Sequence, residues 1–156
     1  MLQDQPQAGT CLVFRVESLA CALPLAAVVE TMRTLPLQRV QSAPAIVAGL
    51  AMIRGTPTPV IDTARLLGTS KTTPTGRFVT LAVGERHVAL AVTSIIGLRA
   101  IAGQDLRALP PLLASADSSA VSAVGALDSE LLILLQGMRL VPDTVFAAAP
   151  AAAGAP

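Results

Sequence analysis

With 156 residues, 53% of them apolar, the chain can build one domain with a sizeable core or two small units sharing one. At this length folding buries roughly two-thirds of the unfolded surface, so neither a metal nor a disulfide staple is required. Eleven basic residues against ten acidic ones, without Trp or Tyr, supply neither a phosphate-neutralising stripe nor a base-stacking platform, which argues against a nucleic-acid partner.

In chain order, residues 1–10 are polar and lack the basic start and apolar core of a secretory signal, so a cytoplasmic protein is expected, with residues 1–9 as a flexible N-terminus. Residues 11–16 begin an apolar strand, and residues 20–25 are its partner across Glu17-Ser18-Leu19. Cys11 and Cys21 then sit in neighbouring strands as small buried side chains, not as a disulfide. Ser42 followed by Pro44 predicts a brief helix over residues 45–48, ended by Gly49. Two prolines exclude a long helix over residues 53–61, which are expected to form one extended strand with edge or bulge character. Asp62 caps a short helix over residues 63–67, with Gly68 as its stop. Residues 71–76 read as an exposed loop.

Val79, Leu81 and Val83 alternate along one strand, Gly84-Glu85-Arg86 forms a turn, and Val88, Leu90 and Val92 repeat the alternation on the way back. Residues 102–119 are expected to be irregular. A second hairpin runs over residues 121–127, turns at Asp128-Ser129 and returns as the apolar run 131–135. The Ala/Pro-rich tail, residues 147–156, has no pattern able to build a packed face and is expected to be disordered. No apolar segment reaches the roughly 18 residues of a spanning helix, since residues 18–29 are broken by Pro24 and residues 43–53 end at Arg54. Direct membrane insertion is therefore not expected. Many short strands with regular turn signals predict an all-β chain with a few short helices, arranged as two small barrels.

Groups able to do chemistry are sparse. His87 is the only histidine and falls on the strand face opposite Val88, Leu90 and Val92, where it is expected to face solvent. One histidine and two scattered cysteines do not make a zinc site, and no nucleophile elbow, paired-histidine zinc motif or P-loop occurs. No cofactor, metal site or catalytic residue is expected. A small enzyme or ligand-binding barrel is the rival from another class, and thermal-shift screening against metabolites distinguishes it. What stands out is Arg54, a lone charge in the Gly/Pro-punctuated apolar run from Gly49 to Gly55. It is either a surface arginine, free or paired with Asp62, or an anchor at the rim of an apolar groove, where a planar fork offers several donors.

The run Val47-Ala48-Gly49-Leu50-Ala51-Met52-Ile53-Arg54-Gly55-Thr56-Pro57-Thr58-Pro59-Val60-Ile61-Asp62 resembles the central signature of the CheW family. That signature is apolar-x-Gly-apolar-x-Asn-apolar-Arg-Gly, followed by x-x-x-Pro-apolar-apolar-Asp. Upstream, Phe14, residues 22–25, Val28-Val29-Glu30 and residues 40–44 are similar to the family in order and spacing. Downstream, residues 88–97 and 124–135 resemble its later strand and closing hairpin, so the likeness spans residues 10–146. It implies one CheW-like domain of two intertwined five-stranded SH3-like barrels around a shared core. It also implies a non-enzymatic adaptor that binds the regulatory domain of a CheA-type histidine kinase and the cytoplasmic tip of a methyl-accepting chemoreceptor. By motif, Gly49, Arg54 and Gly55 fall in the receptor-binding signature, and Val28 and Glu30 in a region of partner contacts, chiefly with the kinase. The chain departs from the pattern at Met52 (usually Asn), Thr93 (often Asp) and Gln136 (commonly Asp). Such departures suit a divergent adaptor of a twitching-motility or surface-sensing pathway as the alternative.

Overall fold

The computed structural model describes residues 9–70, 72–107 and 121–136. The N-terminal strands β1 (Gly9–Val16) and β2 (Leu19–Pro24) pair antiparallel across Glu17 and Ser18. After a 3-10 turn over Leu25–Ala27 come β3 (Val28–Arg33), β4 (Val47–Ile53) and β5 (Thr56–Asp62). Helix α1 (Thr63–Leu66) starts where Asp62 accepts from the Arg65 N–H at 3.2 Å, and Gly68 follows it with φ +77°. Strands β6 (Arg77–Val83) and β7 (Arg86–Val92) form the expected hairpin, with Gly84 at φ +63° in its turn. Strands β8 (Ser94–Ile101), β9 (Leu106–Arg107), β10 (Val121–Leu127) and β11 (Glu130–Leu135) follow among the described residues. The β10–β11 turn places both Asp128 and Ser129 at positive φ, the geometry whose twist matches the flanking strands.

The strands form two sheets, one in the order β8-β1-β2-β11-β10-β9 and one in the order β3-β6-β7-β5-β4. The chain therefore starts in the first sheet, builds the second without interruption, and returns through Thr93, the single residue between β7 and β8. Each sheet contains one parallel contact, β2 with β11 and β5 with β7. Side chains fill three layers. Leu12, Phe14, Val16, Cys21 and Leu23 from the first sheet meet Ile61, Val79, Leu81, Val88, Leu90 and Val92 from the second in a shared core. The other faces of the same strands line a separate core in each sheet: Val13, Ala22, Ile101 and Leu132 in one, Ala51, Val60, Phe78 and Ala89 in the other. Burial on both faces explains why β1 and β2 read as continuous apolar runs and not as alternating ones. Cys11 and Cys21 are both free and buried, on opposite faces, so they cannot approach each other.

The all-β expectation holds, with three local corrections. Residues 47–48 begin β4 and do not end a helix. Val47 and Gly49 pair with Ile61 and Val60, so the ladder captures a segment whose Ser-Pro start is a turn. Residues 53–61 are not one strand, because Arg54 and Gly55 turn the chain between β4 and β5. The prolines are accommodated within that hairpin. A two-residue turn closes on the hydrogen-bonded pair Ile53–Thr56, so Pro57 and Pro59 fall on the alternate positions that need no N–H toward β4. Pairing with β7 begins only at Val60, so that stretch of β5 has the edge character expected of it. Finally, residues 102–107 are ordered as a 3-10 turn over Gly103–Asp105 and then β9, which gives the first sheet six strands instead of five. The N-terminus before Gly9 and the tail from residue 147 lie outside the described residues.

Candidate partner-binding site

The β4–β5 turn is the most unusual backbone among the candidate residues. Arg54 has φ +51° and Gly55 φ +78°. Gly55 has this region at no steric penalty, whereas an arginine at positive φ is uncommon and draws attention to its side chain. That side chain is 77% exposed, yet it is held in place. Its Nε donates to Oε2 of Glu30 at 2.7 Å and its terminal nitrogen to Oε1 at 2.8 Å, a bidentate fork on one carboxylate. Asp62, by contrast, caps α1.

Glu30 is positioned from behind. The register of β3 against β6 shifts between Val28 and Glu30. At this bulge the Thr80 hydroxyl accepts from the Glu30 N–H at 3.1 Å and donates to the Glu30 carbonyl at 3.2 Å. Thr80 is itself buried, so its hydroxyl finds its partners in the distorted ladder. Strands β3 and β4 are the two terminal strands in the order of their sheet, and the Arg54–Glu30 pair joins them across its open side. The Arg54 guanidinium holds the Glu30 carboxyl below its ordinary range, and Glu30 in turn raises Arg54.

Of the five candidate residues, the structure brings Arg54, Gly55 and Glu30 together. Gly49 lies farther back in β4, where a side chain would meet the Gln38 carbonyl oxygen at 2.7 Å. Gln38 and Leu50 exchange two backbone hydrogen bonds of 2.8 Å at that point, so glycine is demanded by close backbone approach. Val28 is half-buried and packs against the shared core. Thr80 and Gln38 act on the site and carried no signal in the sequence, because their roles depend on a bulge and on a bridge outside any strand. Met52, at the Asn position of the signature, is 62% exposed beside the turn.

Two more polar clusters lie elsewhere. Arg15 forks onto Glu130, the second bond 2.8 Å long, tying β1 to β11. Glu17 accepts from the Thr72 and Thr73 N–H groups at 2.8 and 3.1 Å, while its own N–H donates to the Thr93 hydroxyl at 2.8 Å. Glu17, Glu30 and Glu130 all have lowered pKa values, the first through bonds from Thr73 and Thr72 and the others through arginine. Such shifts move these carboxylates away from the range of a general acid or base at neutral pH. His87 is exposed on β7. Among the described residues no group of three metal-ligating side chains comes together.

Comparison with known proteins matches the CheW-like domain over residues 10–145. The chain is 26% identical over 134 residues to the chemotaxis protein CheW of Rhizobium meliloti (strain 1021), covering 85% of this chain and 86% of that protein. Among solved structures, its fold is similar to the scaffolding protein TtCheW from Thermoanaerobacter tengcongensis, with a TM-score of 0.73 at 19% identity over 83% of this chain and 89% of that one. A family match across the strands, both sheets and the Arg54 turn shows that this chain belongs to the CheW-like domain family.

Proposed function

We propose that this chain is a non-catalytic adaptor that couples the cytoplasmic tip of a methyl-accepting chemoreceptor to the regulatory domain of a CheA-type histidine kinase. The observation that carries this reading is the Arg54–Glu30 pair. The resemblance assigns these residues to contacts with different partners, and here they form one bidentate unit on one barrel. A partner that engages Arg54 competes for the fork that Glu30 holds, and a partner that engages Glu30 shifts the carboxylate Arg54 holds. The two contacts are thereby linked in energy, and by linkage the effect is reciprocal.

The protein then works by geometry. Each contact can be weak, because joining both in one assembly raises effective concentration. Signalling follows if receptor states favour different arrangements of the joint. The workplace is the cytoplasmic side of a receptor array. In keeping with this, no helix among the described residues is long and apolar enough to cross a membrane.

The test is calorimetric titration with the regulatory domain of the CheA-like kinase from the same organism. Binding of about micromolar strength, near −8 kcal/mol, is expected. Arg54→Glu is expected to abolish binding to the receptor tip while the circular dichroism spectrum stays native. No heat with any such kinase, from a folded sample, would leave the fold standing and remove the function.

A further inference from the structure

Arg33 and Arg77 are direct cross-strand partners on β3 and β6. Residues opposite each other in an antiparallel pair project from the same face, so the two arginine side chains leave adjacent strands on one face, and both residues are exposed. Like charges in this position repel. A counter-charge would be expected from the protein, and among the described residues none is within ion-pair distance. Arg15 pairs with Glu130 and Arg54 with Glu30. Glu17, near the loop that leads into β6, is committed to Thr72 and Thr73. Arg77 donates only to the neighbouring Gly76 carbonyl, at 3.0 Å.

We propose that the Arg33–Arg77 pair binds a carboxylate on an acidic, extended segment of a partner protein. The site is built for a segment and not for a free ion. Both arginines are exposed residues of the β3–β6 ladder. The net charge is only +1, so no general positive field concentrates anions here. The surroundings instead have the layout of a strand-reading face. Val29, Thr31 and Arg33 are the exposed positions of β3, alternating with half-buried Val28, Glu30 and Met32. Val29 is 50% exposed, an apolar spot at the bulge that precedes Glu30. β3 is also terminal in its sheet, so its outer edge carries no strand among the described residues. A partner with a Glu or Asp, a polar residue two positions on and an apolar residue farther along matches this strip. The site is independent of Arg54, whose carboxylate partner Glu30 occupies the alternate face of β3.

The test uses the whole chain with labelled arginine Nε groups, observed by NMR. The probe is a capped triglutamate peptide, with triglutamine, acetate and inorganic phosphate as comparisons. Saturable shifts at Arg33 and Arg77 with triglutamate are expected, with Arg54 unmoved and no saturation by the other three. The double variant Arg33→Gln/Arg77→Gln is expected to bind roughly tenfold more weakly. Without peptide, Arg77→Gln alone is expected to raise the melting temperature by removing the repulsion. Three outcomes overturn the proposal: no saturable shift at these arginines, phosphate binding as tightly as triglutamate, or a lower melting temperature for Arg77→Gln.

Discussion

Residue chemistry sets how the candidate site responds to pH. Glu30 has its carboxyl lowered from 4.5 first by the hydrogen bond from Arg54. A depressed carboxyl stabilises the fold above its unfolded value and loses that contribution as pH falls through the folded one. The fork is therefore intact at neutral pH and opens only in acid below the ordinary range. A carbon-detected titration of Glu30 is expected to give a midpoint below 4.5, returning to the ordinary range in Arg54→Gln; an unchanged midpoint would remove the pair as its cause. Cys21 behaves in the opposite sense. Burial pushes its thiol from 9.0 up to about 12, against a small opposing effect of Arg15. Its contribution is complete below pH 9.0 and declines as pH rises toward 12, because only the unfolded chain gains thiolate there. Stability measured from pH 8 upward is expected to fall less steeply in Cys21→Ala than in the parent. Equal slopes would show that other groups govern the alkaline limit.

Among the elements, the β4–β5 hairpin separates two kinds of glycine. Gly49 has φ +155° and a backbone oxygen where its side chain would be. Gly49→Ala has to displace Gln38 and is expected to cost about 1–3 kcal/mol, with loss of exchange protection at the Leu50 amide. Gly55 has open space around it and only its positive φ to satisfy, so Gly55→Ala is expected to cost about 1–2 kcal/mol and to leave Leu50 protected. Urea denaturation with amide exchange reads both. Equal protection of Leu50 in the two variants would sink the distinction. The hairpin also shows where local sequence misleads. Ser42, Pro44 and Gly49 are sound helix punctuation, but Val47 and Gly49 are drawn into pairing with Ile61 and Val60. The ladder to β5 decided the matter.

At the scale of the whole molecule, the shared core makes the two sheets one cooperative unit. Phe14 is fully buried between them. Phe14→Ala is expected to cost about 3–5 kcal/mol and to weaken both barrels together, in a single transition. Exchange at Ala123 in the first sheet and Ala51 in the second is the measurement. Persistent protection in one sheet would show that the barrels unfold separately. Thr93 has a matching place in this unit. Its N–H donates to the Arg15 carbonyl at 2.8 Å and its hydroxyl accepts from Glu17, so the crossing point between sheets is held where the family often carries Asp.

What the amino-acid order alone determined were the β1–β2, β6–β7 and β10–β11 hairpins with their turns, and the cap and stop of α1. These follow from period-two alternation, Gly and Asp-Ser turn chemistry and composition, all of which act between neighbours in the chain. Arg54 was visible as a lone charge in an apolar run, and Glu30 only through the resemblance to the family. Their union was not, because they are separated by 24 positions and meet only when the terminal strands of one sheet approach each other. The Arg15–Glu130 pair, separated by 115 positions, was invisible on the same ground. Tertiary structure alone decided which faces of β1 and β2 met which core, where the prolines of β5 could sit, and that Gly49 serves a backbone contact. Each of these depends on what lies across a strand, and a linear order of residues does not state it until the sheets close.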